Sequence, residues 1–208
     1  MGLDHPIFVE SIKQIRDLLG PTGLPLLEQE VLERLIHSSG DPLLAPQLRF
    51  SPGACRDAAK ALASGAVILT DTEMAAVAVA PMAARTFNNK VQTVLNWAPA
   101  VAPPGQTRAA IGMASALKLY PAAVVLIGSA PTALEILLDQ VDDGDAEPVL
   151  VIGMPVGFVG VADSKRRLAR SGLPQIRLEG SRGGAGVCAA AANAILRRAW
   201  LDEHMLND

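Results

Sequence analysis

Arg34 and His37 stand one helical turn apart, so a cation and an imidazole can face the same ligand. His37 is the interior histidine of the chain, His5 and His204 lying near its ends. Reading residues 24–39 as a helix gathers Leu24, Leu27, Val31 and Leu35 on one apolar face, with Glu30, Glu33, Arg34 and His37 on another. Gly40 supplies a left-handed stop. His37 then faces the negative end of the helix dipole with Glu33 one turn away, and both favour the protonated ring, an acid poised near neutrality. The same spacing also describes a solvated polar face that ends in an ordinary C-terminal histidine. Ser11 sits four residues from both Ile7 and Ile15 on the first helix, where its hydroxyl either bonds back to the carbonyl of residue 7 or reaches a ligand. Arg108 follows Thr107 at a helix start, where a cation opposes the dipole. Such a placement serves a ligand or is a surface arginine.

Two glycine-rich segments compete for the role of ligand loop. Gly180 to Gly186 could present backbone N–H groups to an anion at a helix start, or could be a tight turn that lets the following helix approach. It lacks dinucleotide spacing and follows the last strand rather than the first. Gly153 to Gly160, with Gly157 in its middle, is apolar where a loop is ordinarily polar, which suits a large, flat, greasy ligand or a subunit interface. No two of His5, His37, His204, Cys55 and Cys188 have metal-ligand spacing, and neither a Walker sequence nor a GxSxG elbow occurs.

The elements that must position these residues are two N-terminal helices, then alternating strands and helices. The first helix is expected to start at Asp4, as cap, with Pro6 in its opening turn, and to stop at Gly20. After a loop over 41–50, Ser51-Pro52 should open a helix running to Gly65. Short apolar runs at 66–70, 91–95, 123–127, 148–152 and 175–178 read as strands, and the segments between them as helices. The last helix, from about Val187 to His204, is rich in alanine. The pattern predicts a three-layer α/β fold: a mostly parallel sheet of about five strands with helices on both faces. Ligands then collect beyond the carboxyl ends of the strands, where Asp71, Gly128-Ser129 and the two glycine segments lie. Asp71 reads there as a helix cap.

Composition agrees with this class. Half of the residues are hydrophobic but only 3% are aromatic, which suits alanine, valine, leucine and isoleucine packed on a buried sheet. With 208 residues the chain is expected to be one domain, 1–208. A net charge of −3 gives no footprint for nucleic acid or an anionic membrane, so an anionic ligand must be met by local arginines. Two cysteines without CxxC spacing indicate a reducing, cytoplasmic setting. No apolar run approaches the roughly 20 residues of a membrane span, and the start lacks a signal peptide's features.

Taken together, Ile7 to Ser11, Arg34 to His37 with Gly40, Phe50-Ser51-Pro52, Asp71 with Met74 and Thr107 to Ala110 form a specific combination. With Gly128 to Leu134, Gly153 to Gly160 and Ser164-Lys165, the sequence resembles the precorrin-8X (cobalt-precorrin-8) methylmutase family of cobalamin biosynthesis. The resemblance implies an α/β homodimer, an isomerase that moves a methyl group between adjacent ring C carbons, C-11 to C-12, of a corrinoid. The product is hydrogenobyrinate or its cobalt form, cobyrinate. It also implies that His37 protonates or hydrogen-bonds the macrocycle and that Ser11 and Arg34 contact the substrate; the expected roles are Ser11 as a hydrogen-bonding group for the macrocycle, Arg34 and Arg108 as partners of its carboxylates, and Gly157 at the ligand. Such a shift needs no cofactor, only a positioned acid. Ser129, Arg182, Ala185 and Ala109 depart from the family pattern. The other readings are a corrinoid carrier that binds without converting and a nucleotide-binding protein using Gly180 to Gly186.

Overall fold

A computed structural model describes residues 4–205. The N-terminal helices are α1 (Pro6–Leu19) and α2 (Leu26–Ser39), the second ended by Gly40 in the left-handed conformation, with its N–H on Ile36 O. A six-residue 3-10 helix (Pro42–Gln47) leads into β1 (Leu48–Phe50), and then the alternation begins. It runs α3 (Ala54–Ala63), β2 (Ile68–Thr70), α4 (Glu73–Arg85), β3 (Val91–Thr93), α5 (Arg108–Leu119) and β4 (Val124–Ile127). It continues through α6 (Pro131–Asp142), β5 (Leu150–Gly153), α7 (Val161–Arg170) and β6 (Gln175–Leu178) to α8 (Ala185–Met205).

The sheet has six strands in the order β1-β6-β5-β4-β2-β3, all parallel except β1, which runs antiparallel to β6 with Leu48 opposite Leu178. The extra strand lies in the segment the sequence gives as loop. It is only three residues long and sits between a proline-containing 3-10 helix and Pro52, so neither length nor periodicity announces it. Along β4 the side chains alternate: Val124 and Leu126 join the core beneath α3, α4 and α8, whereas Val125 and Ile127 join the core beneath α5, α6 and α7. The central strands are buried on both faces, which is why they read as continuous apolar runs. Helix α2 packs on α8, and α1 on α2, as an outer pair beyond the first face.

Three expected caps are used otherwise. His5, not Asp4, caps α1, its Nδ1 accepting from Ile7 N at 3.2 Å, while Asp4 pairs with Arg197. Ser51 does not open α3; its Oγ donates to Leu173 O and accepts from Gln175 N, anchoring the start of β6. Asp71 leaves the capping of α4 to Thr72. Its fully buried carboxylate reaches across the strand ends instead, Oδ2 accepting from Ser129 N at 2.7 Å and Ala130 N at 2.8 Å.

Candidate active site

The site is assembled where the outer helix pair meets the carboxyl ends of the strands. Ser11 on α1 and His37 in the last turn of α2 face each other, Ser11 Oγ lying 2.8 Å from His37 Nδ1. The serine therefore bonds the exposed imidazole of α2, not the carbonyl of residue 7. Phe8, one turn before Ser11, meets the imidazole in a T-shaped contact with ring centroids 5.1 Å apart. The Arg34 guanidinium lies over the Phe8 ring, 4.5 Å from its centre. Nδ1 of His37 is occupied by Ser11, and among the described residues no hydrogen bond reaches Nε2. The exposed ring thus offers one nitrogen to a ligand.

The electrostatics differ from the sequence expectation. Burial, and then the Arg34 cation, hold the His37 pKa below its usual value. Glu33, one turn before His37, is not among the causes acting on the ring: it is buried, and its oxygens are taken by Arg16 at 2.7 and 3.0 Å and by Gln29 at 2.8 Å. The lowered pKa favours the neutral form of the ring. Arg34 is itself half-buried, and burial followed by neighbouring Arg197 lowers its pKa. Asp4, the acid nearest to balancing these cations, is already committed to Arg197.

Arg108 and Gly157 lie outside this cluster. Arg108 begins α5 on the opposite face of the sheet, its Nε donating to Pro99 O at 2.8 Å and its side chain exposed. Thr107 beside it caps α5 and shares a 2.7 Å hydrogen bond with Thr132. Gly157 adopts φ +135°, a conformation that favours glycine, and its N–H donates to Ser181 O at 3.0 Å. Around it Val156, Phe158 and Val159 are exposed, Phe158 almost completely at 94%.

A bridge connects this apolar flap to the His37 helix. Arg182, next to Ser181, pairs with Asp41 at 3.4 Å and donates to Leu43 O at 3.3 Å, just beyond Gly40. Within the glycine segment at 180–184, Gly183 is the point of close approach: a Cβ there would stand 1.9 Å from Met154 O, and Gly184 N donates to that same oxygen. Close approach of Gly183 to the end of β5 agrees with the tight-turn reading of this segment.

Phe8 and Lys165 lie within the segments that carry the family resemblance, but the sequence assigns neither of them a role of its own. Phe8 is one of four phenylalanines and lies three residues before Ser11, a spacing that places both on one helix face. Lys165 lies between Val161 and Leu168 on the buried stripe of α7, a charge where the helical pattern calls for an apolar residue.

Comparison with known proteins agrees with this architecture. The family model described as precorrin-8X methylmutase matches residues 6–198. The cobalt-precorrin-8 methylmutase of Synechocystis sp. is 38% identical over 95% of this chain and 97% of its own length. The precorrin-8X methylmutase of Pseudomonas aeruginosa is 40% identical over 91% of this chain and 93% of its own. The crystal structure of precorrin-8x methyl mutase from Thermus thermophilus superposes with a TM-score of 0.85 at 37% identity, covering 94% of this chain and 96% of that one. With a family match along nearly the whole described length and these relatives, the chain belongs to the precorrin-8X methylmutase family.

Proposed function

We propose that this chain is the isomerase that moves a methyl group from C-11 to C-12 at ring C of precorrin-8X or cobalt-precorrin-8, giving hydrogenobyrinate or cobyrinate, and that His37 is its acid. The observation that carries the assignment of the residue is the Ser11–His37 pair, which commits Nδ1 and leaves Nε2 for the macrocycle. In the neutral ring Ser11 donates to Nδ1 and the Nε2 proton is shared with the corrinoid as a hydrogen bond; in the imidazolium Nδ1–H donates to Ser11 instead, and the Nε2 proton can be given to the corrinoid, leaving the neutral ring. Adding positive charge to the conjugated ring makes it electron-poor, which favours migration of the methyl with its bonding pair to the neighbouring carbon. The shift is balanced within the substrate, so the protein need supply only orientation and the proton.

Arg34 is proposed to pair a substrate carboxylate beside the acid, and Arg108 one on a different part of the rim, since the two arginines stand on opposite faces of the sheet. An arriving carboxylate near Arg34 offsets the cation that depresses His37 and so raises the ring's pKa toward the working range. Gly157 and its exposed neighbours would meet the apolar ring. We further propose that the enzyme acts as a cytoplasmic homodimer, a reading supported by large exposed apolar side chains, Met74 and Val77 on α4 as well as Phe158 and Val159 on the flap.

Incubation of purified His37→Ala with precorrin-8X tests the assignment. Turnover is expected to fall by about 100-fold or more while the corrinoid still binds, as the loss of a positioned general acid requires. Normal turnover would refute the role of His37. A coloured wild-type complex whose absorption spectrum never passes from substrate to product would instead favour a carrier.

A further inference from the structure

Lys165 is 3% exposed, and among the described residues no carboxylate forms an ion pair with it. Its ammonium is held by two main-chain oxygens, Gly180 O at 2.9 Å and Arg182 O at 2.6 Å. Burying a cation without an anion is costly, and burial accordingly pulls its pKa down to about 8. An apolar residue on this stripe of α7 would spare that cost, so the cation has a use that core packing does not explain. The two oxygens flank Ser181, whose own carbonyl accepts from the Gly157 N–H, and Arg182 is the residue whose side chain reaches Asp41 and Leu43 beyond the His37 helix. Three short elements therefore meet on a five-residue loop with one cation beneath it.

We infer that Lys165 is a positioning residue for the reaction: by fixing the carbonyls of Gly180 and Arg182 it sets the loop at 180–184, and through Ser181 and Arg182 it sets the apolar flap relative to the His37 helix. It touches neither the imidazole nor any atom that reacts. This inference rests on the reading of the Gly157 flap as the edge that meets the corrinoid. Its consequence is that the lysine governs how well the ring is received, whereas His37 governs conversion. Removing the cation should therefore raise KM and leave kcat nearly unchanged, a split that distinguishes loss of the bound geometry from loss of the acid.

The test compares wild type, Lys165→Met, Lys165→Gln and Phe158→Ser in steady-state kinetics with precorrin-8X, together with thermal unfolding of each. Lys165→Met fills the same space without a donor and is expected to raise KM at least about tenfold, the loss of hydrogen bonds from a charged donor. Its kcat should stay within about threefold of wild type, and its unfolding midpoint within a few degrees. Lys165→Gln keeps an N–H donor for one of the two carbonyls and should recover part of the affinity. Phe158→Ser reports on the flap alone and should also raise KM. If KM is unchanged in both lysine variants while Phe158→Ser raises it, the inference fails and the flap reading stands. If Phe158→Ser has no effect either, both fail together. Should both lysine variants be unable to fold, or lose kcat instead of affinity, Lys165 is a fold element or part of the chemistry, and the inference is overturned.

Discussion

Ser11 and His37 belong to different helices and share one hydrogen bond, so the protonation state of the ring is set by contacts that spacing within α2 does not contain. The Arg34–His37 turn, its neighbour Ser11 and the glycine stop are all legible in the sequence. The direction of the pKa shift is not, because it depends on the burial of the imidazole first and on the nearby Arg34 cation second, while the Glu33 oxygens are held by Arg16. Two measurements separate these terms. Ser11→Ala leaves Nδ1 without its partner and should lower kcat about tenfold, the worth of one hydrogen bond, with KM little changed. Arg34→Gln removes the like charge, so the NMR titration midpoint of the His37 ring should move to higher pH than in wild type, where it lies below the usual value. Identical midpoints would show that Arg34 does not act on the ring. The sign for stability follows the same shift: the unfolded chain binds the His37 proton more readily, so the fold gains stability as pH rises through that window and loses it on acidification.

At the level of elements, most of the α/β alternation follows from apolar run lengths, and the errors cluster where a polar side chain bonds something distant in sequence. Asp71 looks like a helix cap until β2 and β4 are side by side, since only then do the N–H groups of Ser129 and Ala130 come within its reach. Ser51 is a similar case, its partners lying more than a hundred residues away on the approach to β6. The alanine-rich character of α8, by contrast, foretells its close approach to the sheet. Gly128 at the end of β4 shows how close: a Cβ there would stand 2.6 Å from both N and Cα of Ala185. These are backbone atoms of the first residue of α8 and cannot swing aside. Gly128→Ala should therefore push the helix start off the strand ends and destabilise the fold by about 2–4 kcal/mol, by analogy with overpacked cores. Urea unfolding followed by circular dichroism would measure it, and a shift under about 0.5 kcal/mol would mean that α8 adjusts freely.

Across the whole molecule, the parallel strands direct their carboxyl ends to one edge, and it is there that the flap, the bridge through Arg182 and the C-terminal end of α2 meet. Phe158 and Val159 at this edge are 94% and 89% exposed, and Met74 and Val77 on α4, which starts from the same edge, are 70% and 71% exposed. Apolar side chains so fully in water are costly to leave uncovered, each of this size being worth about 1.5–3 kcal/mol when buried. A second copy of the chain and the apolar ring of the substrate are the two covers the proposed function supplies, and they separate experimentally. Sedimentation of wild type at micromolar concentration should give about twice the 21.7 kDa chain mass if the edge pairs with a second copy. Placing a carboxylate on the flap with Phe158→Asp should then move the distribution toward the single chain, because an isologous contact puts the same charge on both sides. If the mass is unchanged and only KM rises, the flap serves the ring alone and the dimer must form elsewhere; a wild type that sediments as one chain overturns the dimer outright.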